Sequence, residues 1–316
     1  MTGPATTSSA QNFPCNFKTP HPDSRSSSPR KSRVKLYYYK APEGNFGDDL
    51  NPWLWPRLLP GLFDNDDHIL FIGIGTILND RIPEQSLKVV FGSGVGDPKK
   101  APKLNEKWKI LALRGPLSAR LLEVSPKLAV TDPAVLVRLF SPPSFKKIYR
   151  VSYIPHFKSA NFSQWEEVAG GAGLHYIDPR AGVEVCLQHI AQAELLITEA
   201  MHGAIVADAL RVPWIIVRAN NYFVEKKMYR FKWDDWRFSL RLPSRSYTLL
   251  PLWGRREDET AFVRWKRRVK EKWIVSRLRR IRRTAHPCLS RDQTLNTAVA
   301  RYQEILEQFK KSEFYV

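Results

Sequence analysis

Cysteine is scarce in this chain: Cys15, Cys186 and Cys288 are far apart in 316 residues and form no CxxC. An odd, scattered set argues against a disulfide framework and a structural zinc site, and it fits a reducing compartment. No run approaches about 18 uninterrupted apolar residues, so no transmembrane helix is expected. Residues 1–33 lack the apolar core of a secretion signal. They are rich in Ser, Pro and Thr, cannot bury enough surface to order themselves, and are expected to be a disordered tail. A cytoplasmic location follows. Acid is the other shortage: 31 Asp and Glu stand against 50 Lys and Arg, a formal net charge of +19. That balance favours a polyanionic partner, whether nucleic acid, anionic lipid or a phosphorylated substrate.

What is present is the composition of a folded α/β chain, with 43% hydrophobic and 12% aromatic residues. VKLYYYK (34–40), HILFIGIG (68–75), KVVFGSG (88–94) and KILALR (109–114) read as strands, and RGPLSARLLEV (114–124) as a helix. KLAVTDP (127–133) reads as a short strand and turn. A second series follows: strands at 148–156, 174–179, 194–198 and 213–219, and helices at 160–170, 183–193 and 202–211. Strands alternating with helices imply parallel sheets covered on both faces. Two Rossmann-like domains facing a central cleft are expected, at 34–146 and 147–255, followed by a basic helical segment at 256–316.

Ligands of open parallel sheets bind at the carboxyl ends of the strands. Those ends hold Asn45, Gly47, Asp48 and Asp49; GIGT (73–76) and GSGVG (92–96); Arg114; and Thr131 with Asp132. The second series adds Thr198, Glu199, Met201, His202 and Gly203, then Arg218, Asn220 and Asn221. Glycines admit backbone N–H groups to an anion and Arg114 offers a fork of donors, so the set suits an anionic donor. Each member also has a plain structural reading. Neither glycine motif matches GxGxxG, Asp48, Asp49 and Asp132 have the positions of caps, and a histidine at a helix start is commonly structural. No metal constellation is visible; Asp64, Asp66 and Asp67 read as an exposed turn, and activity is expected to survive a chelator.

The ordered set NFGDDL, IGIGTIL, FGSGVG, ALRGPLSARLL, VTDPAVL and TEAMHGAIVADALRVPWI, over most of 36–240, resembles the polysaccharide pyruvyl transferase family. Within it, the sequence looks most like the ketal-pyruvate transferases of rhizobial succinoglycan-type exopolysaccharide synthesis. The resemblance implies a two-lobed fold like that of the GT-B glycosyltransferases. It implies phosphoenolpyruvate as co-substrate with no cofactor, and a saccharide acceptor, often lipid-linked, whose two hydroxyls close a 4,6-ketal on a terminal hexose as phosphate leaves. The family's Arg before a Ser-containing helix maps onto Arg114 and Ser118, and its strand-end His onto His202. Relatives carry an Arg two positions before that His, where this chain has Ala200; Arg218 is the candidate replacement.

His202 suits the acid that protonates the donor's methylene carbon. A phosphate about 4 Å away favours the protonated ring by about 4 kcal/mol at an effective dielectric of 20. The helix end opposes it by under ~1 kcal/mol. Glu199 is expected to orient the imidazole, and Arg114, Met201, Gly203 and Arg218 to hold the donor. Asn45, Gly47 and Asp48 face the acceptor, Asp48 as base or as sugar ligand.

Eleven Lys and Arg and one Glu fall in 264–283. A solvated charged face and an interfacial helix beside anionic lipid both remain open. So do two rival functions: a GT-B glycosyltransferase using a nucleotide sugar, and a nucleic-acid-binding protein, the latter suggested by aromatics among basic residues in FKWDDWRF and WKRRVKEKW.

Overall fold

The structure is a computed structural model that describes residues 34–141, 145–161, 164–219, 226–252, 254, 257–312 and 314. The expected tail at 1–33 and the candidates Asn220 and Asn221 lie outside them.

The first sheet has five parallel strands: β1 (Val34–Tyr37), β2 (Phe63–Asp64), β3 (Ile69–Ile72), β4 (Leu87–Phe91) and β5 (Trp108–Ala112), in the order β2-β1-β3-β4-β5. Period-two alternation divides its apolar residues. Phe71, Val89 and Phe91 pack on one face, and Leu70, Ile72 and Val90 on the other. The second sheet is also parallel: β6 (Ser152–Ile154), β7 (His175–Tyr176), β8 (Leu196–Thr198), β9 (Trp214–Arg218) and β10 (Tyr247–Thr248), in the order β10-β9-β8-β6-β7. The helices are α1 (Phe46–Leu58), α2 (Pro116–Leu121), α3 (Phe157–Ala160), α4 (Gln164–Gly171), α5 (Val183–Ala191), α6 (Met201–Ala209), α7 (Lys226–Ser239), α8 (Ala261–Thr284) and α9 (Asp292–Lys310).

Helix α1 begins at Phe46, within the polar stretch APEGNFGDD, and it contains Pro52 and Pro56. Pro52 cannot donate to the carbonyl of Asp48 four residues back. The Asn51 side chain donates to that carbonyl instead. Asn51 is fully buried and also binds Ile74 through both backbone groups and accepts from the Trp55 indole, which locks α1 to the loop after β3.

Residues 127–133 pair with the sheet at one point, a parallel bridge from Ala129 to Leu113 just past β5. A short 3-10 turn at Pro126–Leu128 leads to a longer 3-10 helix at Pro133–Leu139, which packs against α6. The described residues of 256–316 hold two helices. Helix α8 lays Ile274, Leu278 and Ile281 on the second sheet's core. Helix α9 returns to the first sheet, where Phe309 meets Phe71 and Phe91, and Tyr302 stacks on Phe91 and donates to Thr131 O. The two tryptophans of FKWDDWRF, Trp233 and Trp236, are buried in α7, while Phe238 is exposed.

Candidate active site

Two helices of different sheets open at one cavity. Helix α1 follows β1 and brings Asn45, Gly47 and Asp48; helix α6 follows β8 and brings Ala200, Met201 and His202. Neither helix is capped by a side chain, so the positive ends of two backbone dipoles converge there. The cavity measures about 500 Å³, and its remaining wall includes Thr76, Asn79, Arg81, His156, Lys158 and Lys232.

His202 sits between two neighbours. Its Nε2 lies 3.6 Å from Asp132 Oδ2, and that carboxylate is fully buried. The other oxygen of Asp132 caps the 3-10 helix by accepting from Ala134 N at 3.0 Å. One carboxylate therefore acts both as cap and as the partner of the imidazole. On the opposite side the ring rests on Gly47, where an added Cβ would lie 2.1 Å from Nδ1. With Nε2 facing Asp132, Nδ1 is the nitrogen against Gly47, and the missing side chain at position 47 makes room for it. We expect Gly47→Ala to displace the ring and lower kcat about 100-fold, because misplacement by about 1 Å costs that much. Steady-state kinetics alongside a circular dichroism spectrum of unchanged shape checks this.

Asp48 lies across from the histidine. Burial holds its carboxyl above the usual carboxylate range, against the lowering pull of His202, a hydrogen bond from Asn45, and Lys232. A carboxylate with this bias accepts a proton more readily than an exposed one. His156 is the reverse case: burial, with Lys232 and Lys158 nearby, pushes it down to about 3, so it is a neutral ring. Its Nδ1 accepts from Lys158 N.

Several residues expected at this site lie elsewhere. Arg114 is fully buried, its Nε 3.2 Å from Asp235 Oδ2, and it donates to Thr76 Oγ1 at 2.6 Å and to Val95 O at 2.8 Å. It stands one side chain behind the cavity wall, and its donors are consumed in joining α7 to the first sheet. Asp235 also accepts from Ser118 N and Oγ in α2. Glu199 does not orient the imidazole. Its two oxygens accept from His156 N and Ala219 N, which ties together the chain after β6, β8 and β9. Gly203 is a packing glycine, since a Cβ there would meet Thr198 and Ile154. Arg218 lines a separate cavity of about 230 Å³ with Arg230, Arg237 and Ser246, so it does not stand in for the charge missing at Ala200. Three glycines of GIGT and GSGVG are filled in by neighbours: Trp55 covers Gly73, Tyr302 covers Gly92 and Arg114 covers Gly94.

Sequence reasoning missed the cavity's cations. Lys158 follows β6 and was open to the same strand-end argument that found His202. Lys232 carried no such signal, because it comes from α7, whose tertiary path the local sequence does not reveal. Among the described residues, Asp66, Asp67 and His68 form one cluster with metal-ligand chemistry, on an exposed turn.

The family model for polysaccharide pyruvyl transferase matches residues 12–221. A curated relative, the succinoglycan biosynthesis protein ExoV of Rhizobium meliloti (strain 1021), is 42% identical over 215 residues. That stretch is 64% of this chain and 64% of ExoV, so the chain spans just under two thirds of that relative. Among solved structures, the wall teichoic acid polymerase TagF superposes with a TM-score of 0.32 at 10% identity, over 88% of this chain and 89% of that one. This likeness is too slight to assign a ligand.

Proposed function

The chain belongs to the polysaccharide pyruvyl transferase family, and from that premise we propose that it moves the pyruvate unit of phosphoenolpyruvate onto two hydroxyls of one sugar. The product is a cyclic ketal, a 4,6-ketal on a terminal hexose, and phosphate is released. The acceptor is a lipid-linked oligosaccharide of exopolysaccharide synthesis, which calls for an enzyme that works beside a membrane. One observation carries the reading: His202, 3.6 Å from Asp132, faces Asp48 across a cavity that also holds Arg81, Lys158 and Lys232.

The reaction needs an acid for the methylene carbon, a base for the attacking hydroxyl, and cations for the leaving phosphate. His202 delivers a proton to the methylene carbon, and C2 becomes cation-like. The first hydroxyl attacks C2 and passes its proton to Asp48. The C2–O bond to phosphate breaks, the second hydroxyl closes the ring, and its proton leaves with the phosphate. The proton gained by the methylene is thus balanced by one of the two that the hydroxyls give up.

Lys232 and Lys158 take the place of the arginine absent at Ala200. All three residues line the same cavity, and the charge of Lys232 is felt at both Asp48 and His156. Lys232 lies beyond residue 221, where the family match ends. A charge-assisted hydrogen bond contributes roughly 1.5–3 kcal/mol. Lys232→Ala should therefore raise the KM for phosphoenolpyruvate about 10- to 100-fold. Arg218→Ala should leave it unchanged. An initial-rate phosphate-release assay separates the two, and the opposite ranking would place the donor near Arg218.

A further inference from the structure

Helix α8 has two apolar faces. The first, at Ile274, Leu278 and Ile281, is buried against the second sheet. About 140° around the helix, at 100° per residue, lie Phe262, Trp265, Val269 and Trp273. They are 60%, 59%, 49% and 44% exposed. These positions recur every three or four residues, so they form one stripe over three turns. Phe262 and Trp265 stack with ring centroids 6.0 Å apart. A face that served only solubility would carry charged residues there. Lys266 and Lys272 flank the stripe, and beyond Trp273 the same side continues into Arg280 and Arg283, all exposed.

The helix is fixed so that the stripe points outward. Thr260 caps its start, and the buried Arg267 pairs with Glu259 and Glu271. Toward its end, Arg279 donates to Gly171 O and Arg282 to Gly173 O, at the carboxyl end of α4. Arg267, Arg279 and Arg282 are thus engaged within the protein, while Lys266 lies over the Phe262 ring at 4.3 Å and Lys272 and Arg280 are exposed.

We propose that this face of α8 docks the enzyme on an anionic lipid surface. Phe and Trp rings would sit at headgroup depth, and the Lys and Arg stems would lie along the interface with their charges on lipid phosphates. The segment 264–283 carries eleven cationic side chains against one Glu, the charge complement of such a surface. Single-stranded nucleic acid fits less well, because it stacks its bases on aromatic platforms within a groove. Here the stripe is a ridge, with Val269 between the two Trp. The inference does not depend on the pyruvyl chemistry.

Flotation of the full chain with vesicles tests it. Wild type should rise with vesicles of phosphatidylcholine containing one third phosphatidylglycerol and stay behind with phosphatidylcholine alone. The paired change Trp265→Ser and Trp273→Ser should lower the bound fraction about tenfold. Lys266→Glu with Lys272→Glu should lower it comparably, and phosphate release on a soluble acceptor should be unaltered in both. The proposal is overturned if wild type ignores anionic vesicles, or if the Trp pair floats as wild type does. It is equally overturned if single-stranded RNA binds as tightly as the vesicles and loses binding in the Trp variant.

Discussion

His202→Ala should reduce phosphate release from phosphoenolpyruvate by about 10²–10⁴-fold, the usual worth of a positioned acid, in a protein that still folds. The imidazole lines a cavity and carries little core packing, since its side chain is 12% exposed and leans on Gly47, which has no side chain. The fold should therefore tolerate the truncation, although Asp132 loses the partner of its Oδ2. Asp132→Asn gives the companion measurement. The amide oxygen can still accept from Ala134 N and preserve the cap, but the charge facing Nε2 is gone. We expect kcat to fall about 10- to 100-fold with little change in the donor's KM, because Asp132 positions the acid and does not touch the donor. A loss confined to KM would show that the pair binds donor and does not protonate it. Near-normal turnover by His202→Ala would remove the acid from the mechanism altogether.

Arg114→Ala should be among the most damaging substitutions for stability. Truncation strands Asp235 in the interior, where both partners are fully buried, and breaking such a pair costs about 3–5 kcal/mol. It also strips donors from Val95 O and Thr76 Oγ1 and empties the space that Gly94 leaves for the guanidinium. A fall in Tm on the order of 10 °C is expected. Calorimetry of Arg114→Ala, Asp235→Ala and the double variant checks it, with the double variant little worse than either single one. From the sequence alone, Arg114 belongs to the donor. If that were its duty, the KM for phosphoenolpyruvate would rise while Tm stayed within a degree or two of wild type.

Arg114 shows where sequence reading stops. Strand-end placement was legible: apolar runs such as ILFI and LLIT end at cavity residues or close to them, and so Asn45, Gly47, Asp48, Met201 and His202 meet around one space. What the rule could not supply was which strand-end groups face inward. Glu199 stands three residues before the histidine yet is spent on backbone N–H groups, while Asp132, some 70 residues earlier, supplies the carboxylate. Long-range returns were hidden for the same reason. Helix α7 delivers both Lys232 to the cavity and Asp235 to Arg114, and α9 closes on the first sheet; nothing local in either sequence names its destination. Helix α1 was obscured by Pro52 and Pro56, and the compensation through Asn51 is visible only in three dimensions.

The central claim is that this cavity transfers pyruvate from phosphoenolpyruvate to a saccharide. The direct measurement is mass spectrometry of lipid-linked oligosaccharides, extracted from an exopolysaccharide-forming bacterium, after incubation with the protein and isotopically labelled phosphoenolpyruvate. The account predicts an acceptor that gains one labelled pyruvylidene unit for each phosphate released, with no gain from His202→Ala. Transfer by wild type and His202→Ala alike, or phosphate release with no label on any saccharide, would contradict it.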